Sequence, residues 1–155
     1  DGETHRLDLG GREVVLRTFG AAHTRGDQVV AVPDAGVLFV GDLAEERIFP
    51  IFPWFPPDDA DIDAATWIAV LDRLAAEAPP VVVPGHGAVG DAGVLRRVAA
   101  YMRDVAAQVE DGRARGEGPE ALAGSVAARM RAAHPDWDAP EWIGFAVRYF
   151  HERPL

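Results

Sequence analysis

A chain of 155 residues with 48% hydrophobic content has enough apolar material for one domain with a real core, and its longest apolar runs are far too short to span a bilayer. A formal net charge of −10, with no basic stripe to offset it, argues against nucleic acid and anionic membrane as partners. With no cysteine there is no disulfide and no thiolate metal ligand, and with all 15 basic residues arginine there is no lysine for a catalytic or substrate-anchoring role.

The opening Asp1-Gly2-Glu3 leads straight into strand-like sequence without a secretory leader, as expected of the interior of a domain. Composition leaves the compartment open, and a cytoplasmic location is the working expectation. Arg6 to Leu9 and Glu13 to Thr18 flank Gly10-Gly11, a hairpin signal. Gln28 to Val32 and Val37 to Val40 flank Pro33-Asp34-Ala35-Gly36, a second turn closed by glycine. Residues 48 to 60 carry four prolines, which block helix and sheet ladders alike.

Helical periodicity follows. Asp63 to Ala76 places Trp67, Ile68, Leu71 and Leu74 on one face and is stopped by Pro79-Pro80. Val81 to Val83 is a short apolar run, as expected of a buried parallel strand. Asp91 to Glu110 spaces Leu95, Val98, Met102, Val105 and Val109 as an amphipathic helix, and Glu120 to Ala133 does the same with Leu122, Val126 and Met130. Asp138-Ala139-Pro140-Glu141 resembles a capping box and predicts a last helix with Trp142, Phe145 and Tyr149 inward.

Three segments carry chemistry: His23-Thr24-Arg25-Gly26-Asp27, Gly41-Asp42 and Pro84-Gly85-His86-Gly87. Across the second hairpin Val32 lies near Val37, so Asp27 is expected near Asp42, with His23 at the same end. The β-α-β crossover from Val37–Val40 to Val81–Val83 makes those strands parallel neighbours. Asp42 and His86 are then expected just past their carboxyl ends, where α/β sheets commonly hold their sites. Taken singly, an isolated histidine is commonly a surface or core residue, and Gly-Asp after a strand is commonly a turn. His5, His134 and His151 read as surface or helix-flanking residues. Converging histidine and aspartate at one sheet edge is the pattern of a hydrolytic metal centre.

These segments, in this order and spacing, resemble the C-terminal half of the metallo-β-lactamase superfamily over about residues 6 to 100. The resemblance implies an α/β fold, one half of an αβ/βα sandwich. The whole of 1–155 is then a single domain, with 1–100 as the core half and 101–155 as a helical extension. It implies a binuclear zinc centre in which His23 serves one metal, His86 the other, and Asp42 bridges the two as a catalytic ligand. Asp27 and Thr24 then steady the His23 loop from behind. Phe49, Phe52, Trp54 and Phe55 either wall a substrate cleft or simply cover the sheet.

The superfamily's main signature, His-x-His-x-Asp-His, does not occur in the 155 residues. Alone, the chain offers each zinc at most two protein donors, so weak or absent metal binding by the isolated chain is expected. The expected partners are a small-molecule substrate and either the missing N-terminal half or a second copy of the chain. For the complete enzyme the resemblance implies a metal-bound hydroxide attacking an ester, lactone, thioester or amide carbonyl. Family members that hydrolyse β-lactams carry a cation shortly after the Asp42 position, where this chain has the acidic Leu43-Ala44-Glu45-Glu46 and reaches its first cation at Arg47. Thioesterases of the glyoxalase II kind and many lactonases show histidine at the Asp27 position. Both specific substrates are weakened, and a general hydrolase remains. The alternative expectation is a non-catalytic half-domain that binds a partner or dimerises through an exposed sheet face.

Overall fold

Paired glycines turn the first hairpin: Gly10 and Gly11 take φ of 82° and 105°, and the Asp8 carboxylate accepts both of their N–H groups. The computed structural model describes residues 2–52 and 61–155. Strands β1 (Thr4–Asp8), β2 (Glu13–Thr18), β3 (Gln28–Val32), β4 (Val37–Glu45) and β5 (Val81–His86) form one five-stranded sheet in sequence order. The first four are antiparallel, and β5 lies parallel to β4 through the crossover helix α1 (Ala64–Ala76). Between β3 and β4, Pro33–Ala35 form a single 3-10 turn that Gly36 closes at φ 64°.

Alternation along the strands sorts the two faces of the sheet. Val29, Leu38, Val40 and Val82 join one core with α1 and the helix α2 (Gly93–Ala114), and Val15 is buried on the same face. The opposite face carries Leu16, Val30, Phe39 and Val83 as one in-register row, with Phe39 43% exposed.

Asp63 caps α1 by accepting the Thr66 N–H, and the expected face of Trp67, Ile68, Leu71 and Leu74 is the buried one. In α2 the residues Leu95, Val98, Met102, Val105 and Val109 are all fully buried, each worth about 1.5–3 kcal/mol of apolar burial. Helix α3 (Pro119–Ala133) buries Leu122, Val126 and Met130, also as expected.

The last helix, α4 (Trp142–Glu152), departs from expectation in two ways. No capping box forms, because the main chain of Asp138 is drawn into a parallel bridge with Ile48 and the helix starts at Glu141 without a side-chain cap. Its buried face is Ile143, Ala146, Val147 and Phe150, one position beyond the anticipated Trp142, Phe145 and Tyr149. Both sets recur at helical spacing. The set of three aliphatic side chains and Phe150 fills the interior, while Trp142, Phe145 and Tyr149 are left half-buried at its margin, with Trp142 and Phe145 packed together at 5.3 Å. Among the described residues no helix is long and apolar enough to cross a membrane.

Candidate metal centre

Two of the three expected donors meet where β4 and β5 run side by side. The register passes from Phe39↔Val83 to Gly41↔Pro84 and then to Glu45↔His86, with a shift at each step, and Gly41 takes φ 53° between them. Because of this irregularity β4 continues through Asp42, and β5 continues to His86. Both residues therefore stand on the strands, not just past their ends as anticipated. His86 Nε2 lies 3.5 Å from Asp42 Oδ1, and both side chains are about half exposed. Gly85 makes this approach feasible: a Cβ there would fall 2.0 Å from Asp42 Oδ1 and 2.7 Å from the Gly41 carbonyl carbon. Gly87, at φ 87°, turns the chain immediately after His86, and a Cβ there would meet the Glu46 carbonyl oxygen at 2.3 Å.

The third donor sits on the loop between β2 and β3, and short hydrogen bonds shape that loop. The Thr24 N–H and hydroxyl both donate to the Asp27 carboxylate, at 2.9 and 2.7 Å, and Asp27 Oδ1 lies 3.9 Å from His23 Nδ1. Thr24 and Asp27 thus brace one loop around His23. The imidazole is only 6% exposed, with Trp67 edge-on at 5.0 Å. Its Nε2 lies 2.9 Å from the Ile51 carbonyl, and since a carbonyl only accepts, this nitrogen carries the proton. Burial holds the ring below the ordinary imidazole range, with the charges of Asp27 and Asp42 pulling the other way, so His23 is neutral near pH 7.

Sequence reasoning missed Glu45. Strict alternation from Leu38 and Val40 would turn residue 45 outward or leave it in a loop. The irregular stretch at Gly41 instead leaves Leu43, Ala44 and Glu45 all buried, with Glu45 1% exposed. Burial, with a contribution from Asp42, pushes its carboxyl up to about 8, against the opposing contact from the Ile51 N–H at 3.4 Å. Its Oε2 and the Tyr101 hydroxyl are both buried without a hydrogen-bond partner among the described residues. The acidic run was visible in the sequence as charge. Its burial follows from the bulge, for which Gly41 was the one local signal.

Two of the aromatic residues read as a substrate wall have no surface to offer one. Phe49 is fully buried against Tyr101 and Trp137 at 5.6 and 5.3 Å, and Phe52 is buried against Trp67 and Tyr149 at 5.3 and 5.5 Å. They cover the core, the other of the two expected roles. Trp54 and Phe55 lie outside the described residues. A cavity of about 570 Å³ lies elsewhere, floored by Val15 and Leu38 and flanked by the ion pairs Arg6–Glu13 and Arg17–Glu77; it includes none of His23, Asp42 or His86.

Among the described residues no three His, Asp or Glu side chains converge closely enough to hold a metal ion. Asp42 and His86 form a converging pair, while the His23 Nε2 is occupied by Ile51. The Asp42 carboxylate and the His86 imidazole are donor types that zinc takes.

Residues 2–86, more than half of the chain, match the family described as the metallo-beta-lactamase superfamily, and the chain belongs to that superfamily of metallo-hydrolases. Among solved structures it is similar to a metallo-beta-lactamase from Pontibacter korlensis, at 27% identity and a TM-score of 0.51 over 63% of this chain and 45% of that one. It shares its fold with the DIM-1 metallo-beta-lactamase, at 21% identity and a TM-score of 0.52 over 63% of this chain and 44% of that one. The same holds for TMB-1, at 20% identity and a TM-score of 0.52 over 64% and 44%. The chain spans less than half the length of these relatives, and its mixed sheet with flanking helices is a partial metallo-β-lactamase fold.

Proposed function

We propose that this chain supplies Asp42, His86 and His23 to the metal centre of a zinc-dependent hydrolase whose other ligands come from a His-x-His-x-Asp-His half of the same domain. The observation that carries this reading is the Asp42–His86 pair, 3.5 Å apart, at a strand junction where only glycine fits at position 85. A Cβ at position 85 would meet the β4 backbone as well as the Asp42 carboxylate, so the glycine that lets the two strands close also sets a half-exposed carboxylate beside an imidazole, the donor types zinc takes. The neutral state of His23 suits a ligand, because metal binding requires an unprotonated imidazole nitrogen. Thr24 and Asp27 hold its loop. Residues 1–155 act as one unit in this reading, the helices after residue 100 being an extension of the core half. The substrate is a small molecule with an ester, lactone, thioester or amide bond.

The complementary half would seat on the open sheet face, where Leu16, Val30, Phe39 and Val83 stand in one row. The same row favours the second reading, a half-domain that docks or dimerises without catalysis. The complete domain, carrying both halves, separates the two. His86→Ala should lower its zinc content from about two per chain towards one, measured by elemental analysis. Unchanged zinc would refute the ligand assignment and leave the docking reading standing.

A further inference from the structure

Helix α4 reaches the backbone beside the His23 loop through a tyrosine hydroxyl. We propose that Tyr149, on α4, is a positioning residue for His23. It acts by two routes, one through its hydroxyl and one through its ring.

The Tyr149 hydroxyl donates to the Ile62 carbonyl at 3.2 Å and accepts the Ala64 N–H at 3.0 Å. These two partners flank Asp63, whose N–H donates to the Ala22 carbonyl at 2.9 Å. Ala22 is fully buried and immediately precedes His23. One phenol thus braces the backbone segment that fixes the start of the His23 loop.

The ring route runs through Phe52. Tyr149 and Phe150 pack on Phe52 at 5.5 and 5.8 Å, and Phe52 packs on Trp67, which stands edge-on to His23. Phe52 also pins its neighbour Ile51, whose carbonyl accepts from His23 Nε2 and whose N–H faces Glu45. The far end of this short segment is pinned as well. The Phe49 N–H donates to the Asp138 carbonyl, the Asp138 N–H donates to the Arg47 carbonyl, and Arg47 pairs with Asp136 at 2.6 Å. Ile51 is therefore held against the imidazole from both sides by residues of α4 and of the connection that precedes it. These contacts set the tautomer and the orientation of His23, and with them which ring nitrogen is available.

The consequence for metal chemistry rests on the proposed function, but the positioning itself is read in the metal-free chain. Tyr149→Phe keeps the ring and deletes only the hydroxyl. The readout is the His23 side-chain signal in nitrogen-15 NMR, where the wild type should show a protonated, hydrogen-bonded Nε2 that exchanges slowly. The variant should accelerate exchange of that proton about tenfold, the equivalent of one hydrogen bond. Phe52→Leu, which leaves the hydroxyl bridge in place, should loosen the same proton through the ring route. Val126→Ala, a cavity variant in α3 that takes part in none of these hydrogen bonds or ring contacts, should lower the melting temperature without moving the His23 signal. An unchanged His23 signal in Tyr149→Phe, or an equal change in Val126→Ala, would overturn the proposal. Failure here leaves the zinc count of the complete domain untouched, so the two readings fail separately.

Discussion

Replacing Glu45 by glutamine should stabilise the chain by about 3–5 kcal/mol at pH 8.5 and leave it nearly unchanged at pH 5. The folded chain holds the Glu45 proton up to about 8, whereas the unfolded chain releases it near 4.5. Between those values the folded state binds more protons, so stability is fully present below 4.5 and is lost as pH rises through the folded value. The full shift corresponds to on the order of 5 kcal/mol at about 1.4 kcal/mol per unit. His23 contributes with the opposite sign: its lowered value makes the folded state bind fewer protons, so its contribution is lost as pH falls below the unperturbed 6.5. Of these two groups, only Glu45 then acts between pH 6.5 and 8. Urea unfolding across that window should show stability falling in the wild type and flat in Glu45→Gln. An equal slope in both proteins would show that Glu45 ionises normally.

The second large effect centres on Trp67. This side chain is fully buried, its indole N–H donates to the Leu43 carbonyl at 2.8 Å, and its ring touches both His23 and Phe52. Trp67→Ala should cost about 3–5 kcal/mol in cavity and lost transfer energy. It would also leave a carbonyl of β4 without its partner, one residue after Asp42. Trp67→Phe keeps most of the volume and isolates the hydrogen bond, so a smaller loss of about 1–2 kcal/mol is expected there. Guanidinium unfolding measures both. A loss below about 1 kcal/mol for the alanine variant would mean that α1 is not anchored to β4 through this ring.

The two predictions fall on residues of different legibility. Trp67 was readable, because a single helix face with Ile68, Leu71 and Leu74 admits one inward direction. The hairpins were readable too, since Gly10-Gly11 and Gly36 are turn chemistry, and the parallel pairing of β4 with β5 followed from the crossover rule. From these the meeting of Asp42 with His86 could be read in the sequence. Glu45 was not readable as buried, because a register shift at Gly41 breaks the period on which such an inference stands. The same limit applies to α4. Asp138 has the local chemistry of a cap, yet a bridge to Ile48, ninety residues away in sequence, claims its backbone. Phe49 and Phe52 lie in a proline-rich stretch with no period at all, so only the partners Tyr101, Trp137 and Tyr149 decide that they face the core. Long-range pairing overrides local signals wherever the chain leaves regular structure.

Long-range pairing also places the candidate donors. Asp42 and His86 are held by the sheet itself, and His23 by a braced loop and the helical layer behind it. The most direct test is a zinc titration of the 155-residue chain against a competing chelator, alone and with the His-x-His-x-Asp-His half added as a separate chain. The chain by itself should take up no stoichiometric zinc, and the assembled pair about two zinc ions. Tight stoichiometric zinc on the chain alone, or a folded pair that takes up none, would contradict this expectation.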